Sequence, residues 1–215
     1  TFAVTNFAAL LSYARKIPQL KGVMIGATAK IIRNKIGPFG GSWGFGFDVG
    51  ASYSYKKWNF AAVGRDITGT FNAYTYTLTD AQKQTFAITN NVIPANSLEI
   101  TVPRLILGAS RTFTVWKDKL TITPEVNLIT TFDGKRNTVI KTNAFSTDPV
   151  MGLELGYLKM IYLRAGINNI QKATDVAGKT QTMISPSIGV GLRYKIFHLD
   201  YALTYFGGGH NVLGF

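Results

Sequence analysis

Cysteine is absent from the 215 residues, so neither a disulfide framework nor a thiolate metal site can be built. Long apolar runs are absent too. No stretch of about 18 uncharged apolar residues occurs, and no segment reads as a transmembrane helix. Histidine is scarce, with only His198 and His210, and neither sits in a motif with a serine or carboxylate. Acid–base or nucleophilic catalysis therefore has little to stand on, and no enzyme activity, catalytic residue or cofactor is expected. Acids are also few: 11 Asp and Glu stand against 23 Lys and Arg, a formal charge of +12. That balance could suit nucleic acid, but no Lys/Arg run exceeds two residues. The charge reads better as rims and a wet interior than as a nucleic-acid footprint.

What is abundant is glycine, with 22 residues, and aromatics at 13% of the chain, with a mean hydropathy of +0.11. From Trp43 to Tyr55 the two kinds alternate. Trp43, Phe45, Phe47, Val49, Ala51, Tyr53 and Tyr55 point one way, and Gly44, Gly46, Asp48, Gly50, Ser52 and Ser54 the other. Such a strand has one apolar wall and one small, polar wall. It exceeds the usual soluble strand of about five or six residues and suits a tilted crossing of roughly 25 to 30 Å of hydrocarbon. The expected fold class is all-β, an antiparallel transmembrane β-barrel forming a single domain over residues 1–215.

Ten strands can be drawn, over residues 6–17, 21–36, 43–55, 58–66, 99–115, 119–132, 149–157, 161–170, 182–194 and 197–206. Connections at 17–20, 56–57, 117–118, 158–160 and 195–196 are tight. Those at 37–42, 67–98, 133–148, 171–181 and from 207 onward are longer or glycine-rich. In outer-membrane barrels tight turns face the periplasm and long loops face outward, so this alternation orients the chain. Tyr13, Tyr53, Tyr55, Trp58, Phe113, Trp116, Tyr157, Tyr194, Phe197 and Tyr201 gather near the tight turns, as an interfacial girdle does. Because the first strand ends at a tight turn, an odd number of strands is expected before Thr1. His210 to Phe215 is too short to cross, so one strand is expected after Phe215.

Register arithmetic places charges on the inner wall. A two-residue turn at Lys56 and Lys57 sets Asp48 opposite Arg65, with Lys30 on the inward face of the neighbouring strand. The turn after Tyr157 sets Glu154 opposite Arg164 and Leu155 opposite Leu163. The turn at Lys195 and Ile196 sets Arg193 opposite His198, with Asp200 diagonal to Arg193. Glu125 also faces inward without an evident partner. Ions on the lipid face would cost about 2 to 4 kcal/mol at mid-bilayer, which favours the inward assignment. Lys30, Asp48, Arg65, Glu154, Arg164, Arg193 and Asp200 are thus expected as interior ion pairs. Their expected role is to stiffen the wall, because a selective passage would carry an unpaired ring of one sign. Gly44-Phe45-Gly46, Gly189-Val190-Gly191 and Gly207-Gly208-Gly209 open no helix and are not phosphate loops; inward glycines are expected to leave room for a plug.

Several strand phrases carry a family likeness: Ile25-Gly26-Ala27-Thr28-Ala29-Lys30-Ile31-Ile32, Gly44 to Tyr53, Gly152-Leu153-Glu154-Leu155-Gly156-Tyr157, Leu163-Arg164-Ala165-Gly166, and Gly189 to Tyr194 with Leu199-Asp200-Tyr201-Ala202. Together they resemble the PorV/PorQ-type outer-membrane proteins, which are similar in turn to the FadL long-chain fatty-acid transporters. The resemblance implies a fourteen-stranded barrel with an N-terminal plug, of which this chain holds ten or eleven strands, in the bacterial outer membrane. It also implies a part in type IX protein secretion, with translocon or attachment-complex proteins and secreted cargo as partners besides the lipid bilayer. The alternative function is a FadL-like conduit for hydrophobic small molecules. The Thr- and Asn-rich stretch from Thr68 to Ser97, charged only at Asp80 and Lys83, is longer than the resemblance implies for a loop.

Overall fold

The computed structural model describes residues 3–174, 180–206 and 210–214, and side chains over 3–172 and 182–205. The strands are β1 (Val4–Lys16), β2 (Val23–Ile36), β3 (Gly40–Tyr55), β4 (Trp58–Arg65), β5 (Thr70–Tyr76), β6 (Ser97–Thr101), β7 (Arg104–Arg111), β8 (Phe113–Val115), β9 (Leu120–Thr131), β10 (Ile140–Lys141), β11 (Ser146–Tyr157), β12 (Ile161–Thr174), β13 (Thr180–Tyr194), β14 (Phe197–Phe206) and β15 (His210–Gly214). One helix, α1 (Asp80–Ile88), lies between β5 and β6. The strands form one antiparallel sheet in the order β1-β2-β3-β4-β7-β9-β11-β12-β13-β14-β15, with β5, β6, β8 and β10 off that path.

By contacts the chain divides into two compact units. The first comprises Thr1–Arg15, Ile25–Gly50 and Gly64–Pro103; the second comprises Lys16–Met24, Ala51–Val63 and Arg104–Phe215. All five tight turns belong to the second unit. There, β9, β11, β12, β13 and β14 pair as successive antiparallel neighbours, and unbroken rows of apolar side chains cross the ladder. One row runs Ile122–Leu155–Leu163–Val190–Tyr201, and another Tyr157–Ile161–Leu192–Leu199. The pairings Leu155–Leu163, Arg193–His198 and Leu192–Leu199 are those the turn arithmetic predicts. Ser54 donates to Asn59 at 2.8 Å, the partner that a two-residue turn at Lys56 and Lys57 requires.

Burial is inverted relative to a water-soluble domain. Among the described residues Tyr162 is the one buried large apolar side chain, whereas Lys30, Ser42, Asp66, Thr70, Thr131, Ser146, Thr147 and Ser185 are buried. Trp43, Phe45, Phe47, Val49, Tyr53 and Tyr55 are all exposed, and so is each of the ten aromatics expected in the girdle. Hydrophobic burial, normally the dominant favourable term, is not what holds this sheet together in isolation. Backbone ladders and side-chain hydrogen bonds on the polar face are.

Several expectations need correction. The stretch 67–98 is not a plain loop. In the first unit β5 pairs with residues Gly40–Phe45 of β3, and β6 pairs with β5, so the apolar face continues through Phe45, Phe71 and Ile100. The Phe45 and Phe71 rings lie 5.7 Å apart. Between these strands α1 is capped by Thr79, whose hydroxyl accepts from Gln82 N while the Gln82 side chain accepts from Thr79 N. The strand expected over 99–115 is three strands, because Pro103 has no N–H to give a ladder and Thr112 separates β7 from β8. The turn expected at 117–118 spans Trp116–Lys119, between paired Val115 and Leu120. β12 and β13 extend into the expected loop 171–181, whose residues 175–179 lie outside the described residues. So do Gly207–Gly209 and the side chain of His210.

The inward glycines of β3 do not leave room for a plug. A Cβ on Gly44 would stand 2.2 Å from Asn72 Oδ1, and one on Gly46 would stand 1.9 Å from Thr70 Oγ1. The chain's own β5 fills that space. Gly46→Ala should therefore push Thr70 away and destabilise the protein by about 1 to 3 kcal/mol. Urea unfolding in detergent, followed by circular dichroism, measures this; an unchanged midpoint would show that Thr70 does not pack against Gly46.

Candidate functional site

Two charged clusters lie on the polar face, one in each unit. In the first unit Lys30 of β2 donates to Asp48 Oδ1 of β3 at 2.7 Å and also binds Asp66. Thr70 donates its hydroxyl to Asp66, and the backbone N–H of Asp66 donates to Asp48 at 2.8 Å. Lys30, Asp66 and Thr70 are all less than 9% exposed. The expected Asp48–Arg65 pair is not present: Arg65 is exposed, and Asp48 takes Lys30 and a backbone N–H instead. The cause is local. Asp66 has φ of +55°, a left-handed conformation that breaks the alternation of β4 and brings the Asp66 carboxylate to Lys30. Sequence reasoning missed Asp66 because period-two counting would have continued it to the opposite wall.

In the second unit Glu154 and Arg164 are directly paired across β11 and β12, with Arg164 Nε donating to Glu154 Oε2 at 2.7 Å. Arg164 also binds Asp200 of β14 through Nη1. The diagonal Arg193–Asp200 pair expected from spacing is therefore replaced: Asp200 turns to Arg164, and the Arg193 guanidinium lies 4.5 Å from the Tyr162 ring centroid. Two glycines allow this. Tyr162 is flanked in register by Gly156 and Gly191, and a Cβ on Gly191 would stand 2.5 Å from Asp200 Oδ1 and 3.0 Å from Arg164 Nη1. Glu125, for which no partner was expected, accepts from Asn127 Nδ2 at 2.6 Å.

This second cluster borders a cavity of about 630 Å³ lined by Glu125, Glu154, Arg164, Ser187 and Asp200 among others. Three carboxylates face it against one arginine, so its local field is negative on a chain that is strongly basic overall. Beyond the strand ends, Asp133 and Arg136 form a bidentate pair, and Ser146 ties this loop through Arg136 N and Gly134 O. The Arg136 hydrogen bond holds the Asp133 carboxyl below the usual carboxylate range. The contact therefore persists at neutral pH and is lost only as pH falls through that lowered value.

No protein-family model, curated protein or solved structure matches this chain.

Burial ranks the two clusters. Lys30 is a buried cation that contacts both Asp48 and Asp66, so Lys30→Met should cost about 3 kcal/mol. Arg164 and its partners are about one-third to one-half exposed, and each contact there is worth about 1 kcal/mol or less. Arg164→Met should cost less than Lys30→Met, and Arg65→Ala should stay within about 0.5 kcal/mol. Urea titrations of the three variants give the order; a large loss at Arg65 would restore the Asp48–Arg65 pair.

Proposed function

We propose that the sheet is the wall of a β-barrel integral to the bacterial outer membrane, acting without catalysis as a protein-binding component of type IX secretion. The observation that carries the membrane part is the inverted burial: large apolar side chains are exposed along the strands, and the polar face holds the hydrogen-bonded and ionic groups. In water such a surface would far exceed the few hundred Å² of contiguous apolar patch that monomers usually tolerate. Against hydrocarbon it is the stable choice, because paired strands satisfy their backbone groups in ladders and the Lys30–Asp48 and Glu154–Arg164–Asp200 groups lie on the polar face. The exposed aromatics near the tight turns support the same placement.

The secretion part rests on the strand phrases that resemble the PorV/PorQ-type proteins and on where recognition surface is available. α1 has no buried residue, and its flanks from Thr77 to Asn96 lie beyond the strands. A capped, ordered helix carried on a β-hairpin is a recognition element on a rigid frame. The inward strand faces read largely Gly, Ser, Thr, Asn, Asp and Arg, which suits a hydrophobic-molecule conduit poorly.

Topology is tested with Lys117→Cys in a tight turn and Gln84→Cys on α1. An impermeant thiol reagent applied to whole cells should label only the α1 site. Labelling of the tight turn alone, or of both, contradicts the proposed orientation.

Function is tested by replacing residues 78–95 with a short Gly/Ser linker, which keeps β5 and β6. The protein should stay folded, since loop length adds only slowly to the closure entropy, while recovery of partner proteins and secretion of cargo fall. Normal secretion with lost uptake of a long-chain hydrophobic compound would transfer the assignment to a transporter.

A further inference from the structure

The tight-turn end of the second unit carries a charge pattern that wall-stiffening does not require. A second cavity, of about 470 Å³, is lined by Lys159, Tyr162, Arg193, Tyr194, Lys195 and His198. No carboxylate lines it. The nearest acid in register is Asp200, opposite Gly191, and its carboxylate is bound to Arg164. The strands that build it are locked together: Arg193 N donates to Met160 O at 2.7 Å, and Arg193 is the ladder partner of His198. The guanidinium of Arg193 lies against the Tyr162 ring, and Lys195 Nζ stands 5.4 Å from the Tyr194 ring. Stacking holds the arginine plane while leaving its N–H edge free, the arrangement that suits bidentate binding of a phosphate.

Lys159 and Lys195 sit at φ of +57° and +51°, in the left-handed region where glycine is favoured. The tight turns require that conformation, as Lys56 and Lys117 show at +54° and +52°. Directly beside the cavity the exposed row Ile161–Leu192–Leu199, with exposed Phe197, supplies apolar surface for chains attached to such a phosphate.

We infer that this cavity is a binding site for a phosphate group, either free or as the headgroup of an anionic amphiphile whose chains lie along the Ile161 row. The lipid source rests on the bilayer placement proposed above; the phosphate site does not.

The full chain in an uncharged detergent is titrated with short-chain phosphatidic acid and, separately, with inorganic phosphate, by calorimetry. Saturable binding of either probe is expected, weakened about tenfold or more in K159Q/R193Q/K195Q. The control K117Q/K119Q, which removes two cations from another tight turn, should bind as the unaltered protein does. Binding of the lipid alone assigns the site to a headgroup; comparable binding of both probes assigns it to a free anion. Lys195→Gln alone, at an exposed turn residue, carries the test if the triple change impairs folding, with about threefold weakening expected. Equal weakening in the control, or no saturable binding of either probe, overturns the site. Because the phosphate titration needs no bilayer, its failure is separable from a failure of the thiol-labelling test.

Discussion

The antiparallel ladder with its period of two is the constraint on which the rest of this molecule depends. Each residue's face is fixed by its neighbour's, so a register set at a tight turn propagates along two strands and across the next pair. The turn at Leu158 to Met160 sets Tyr157 opposite Ile161, and six positions further on Met151 still faces Ile167. Once one residue of a row is outward, the whole row is, and Glu154, Arg164 and Asp200 share the other face. The inverted burial is thus a consequence of register rather than a separate property of composition.

On the polar face, glycine and long side chains are complementary rather than interchangeable. Gly44 and Gly46 are the floor on which Asn72 and Thr70 rest, and Gly156 and Gly191 flank the ring of Tyr162. A Cβ at these places would meet its nearest atom at 1.9 to 2.5 Å. Alternation of glycine with aromatic residues therefore does two jobs at once. It presents ring surface on the outer face, and it lets neighbouring strands send polar side chains across the inner one.

How legible this was depended on whether a feature follows from register or departs from it. Glu154, Arg164 and the Leu155–Leu163 pair were readable because a tight turn fixes their partners and nothing interrupts the alternation. The Lys30–Asp48–Asp66 cluster was readable only in part. Lys30 and Asp48 sit on regular strands, but Asp66 reaches them through a left-handed residue that no period predicts, and Arg65 was assigned in its place. Asp200 was placed on the correct face but given the wrong arginine, since Arg164 and Arg193 are both within reach and the choice turns on Arg193 stacking against Tyr162. The helix α1 carried a readable signal that pattern reasoning passed over: Thr79-Asp80-Ala81-Gln82 is a capping-box sequence. It was hidden inside a Thr- and Asn-rich stretch whose composition suggested a loop.

The distribution of charge gives these details a common sense. The chain's excess of cations is not spread evenly over the second unit. Acids outnumber the single arginine around the larger cavity, while the cavity beside the tight turns is lined by cations and no acid. Arg164 separates the two by engaging Glu154 and Asp200 together, which leaves the Arg193 guanidinium to stack on Tyr162. Routing Asp200 to Arg164 keeps positive charge at the tight-turn end and negative charge along the inner face. Such a separation requires both glycines beside Tyr162 and the ladder that holds them in register.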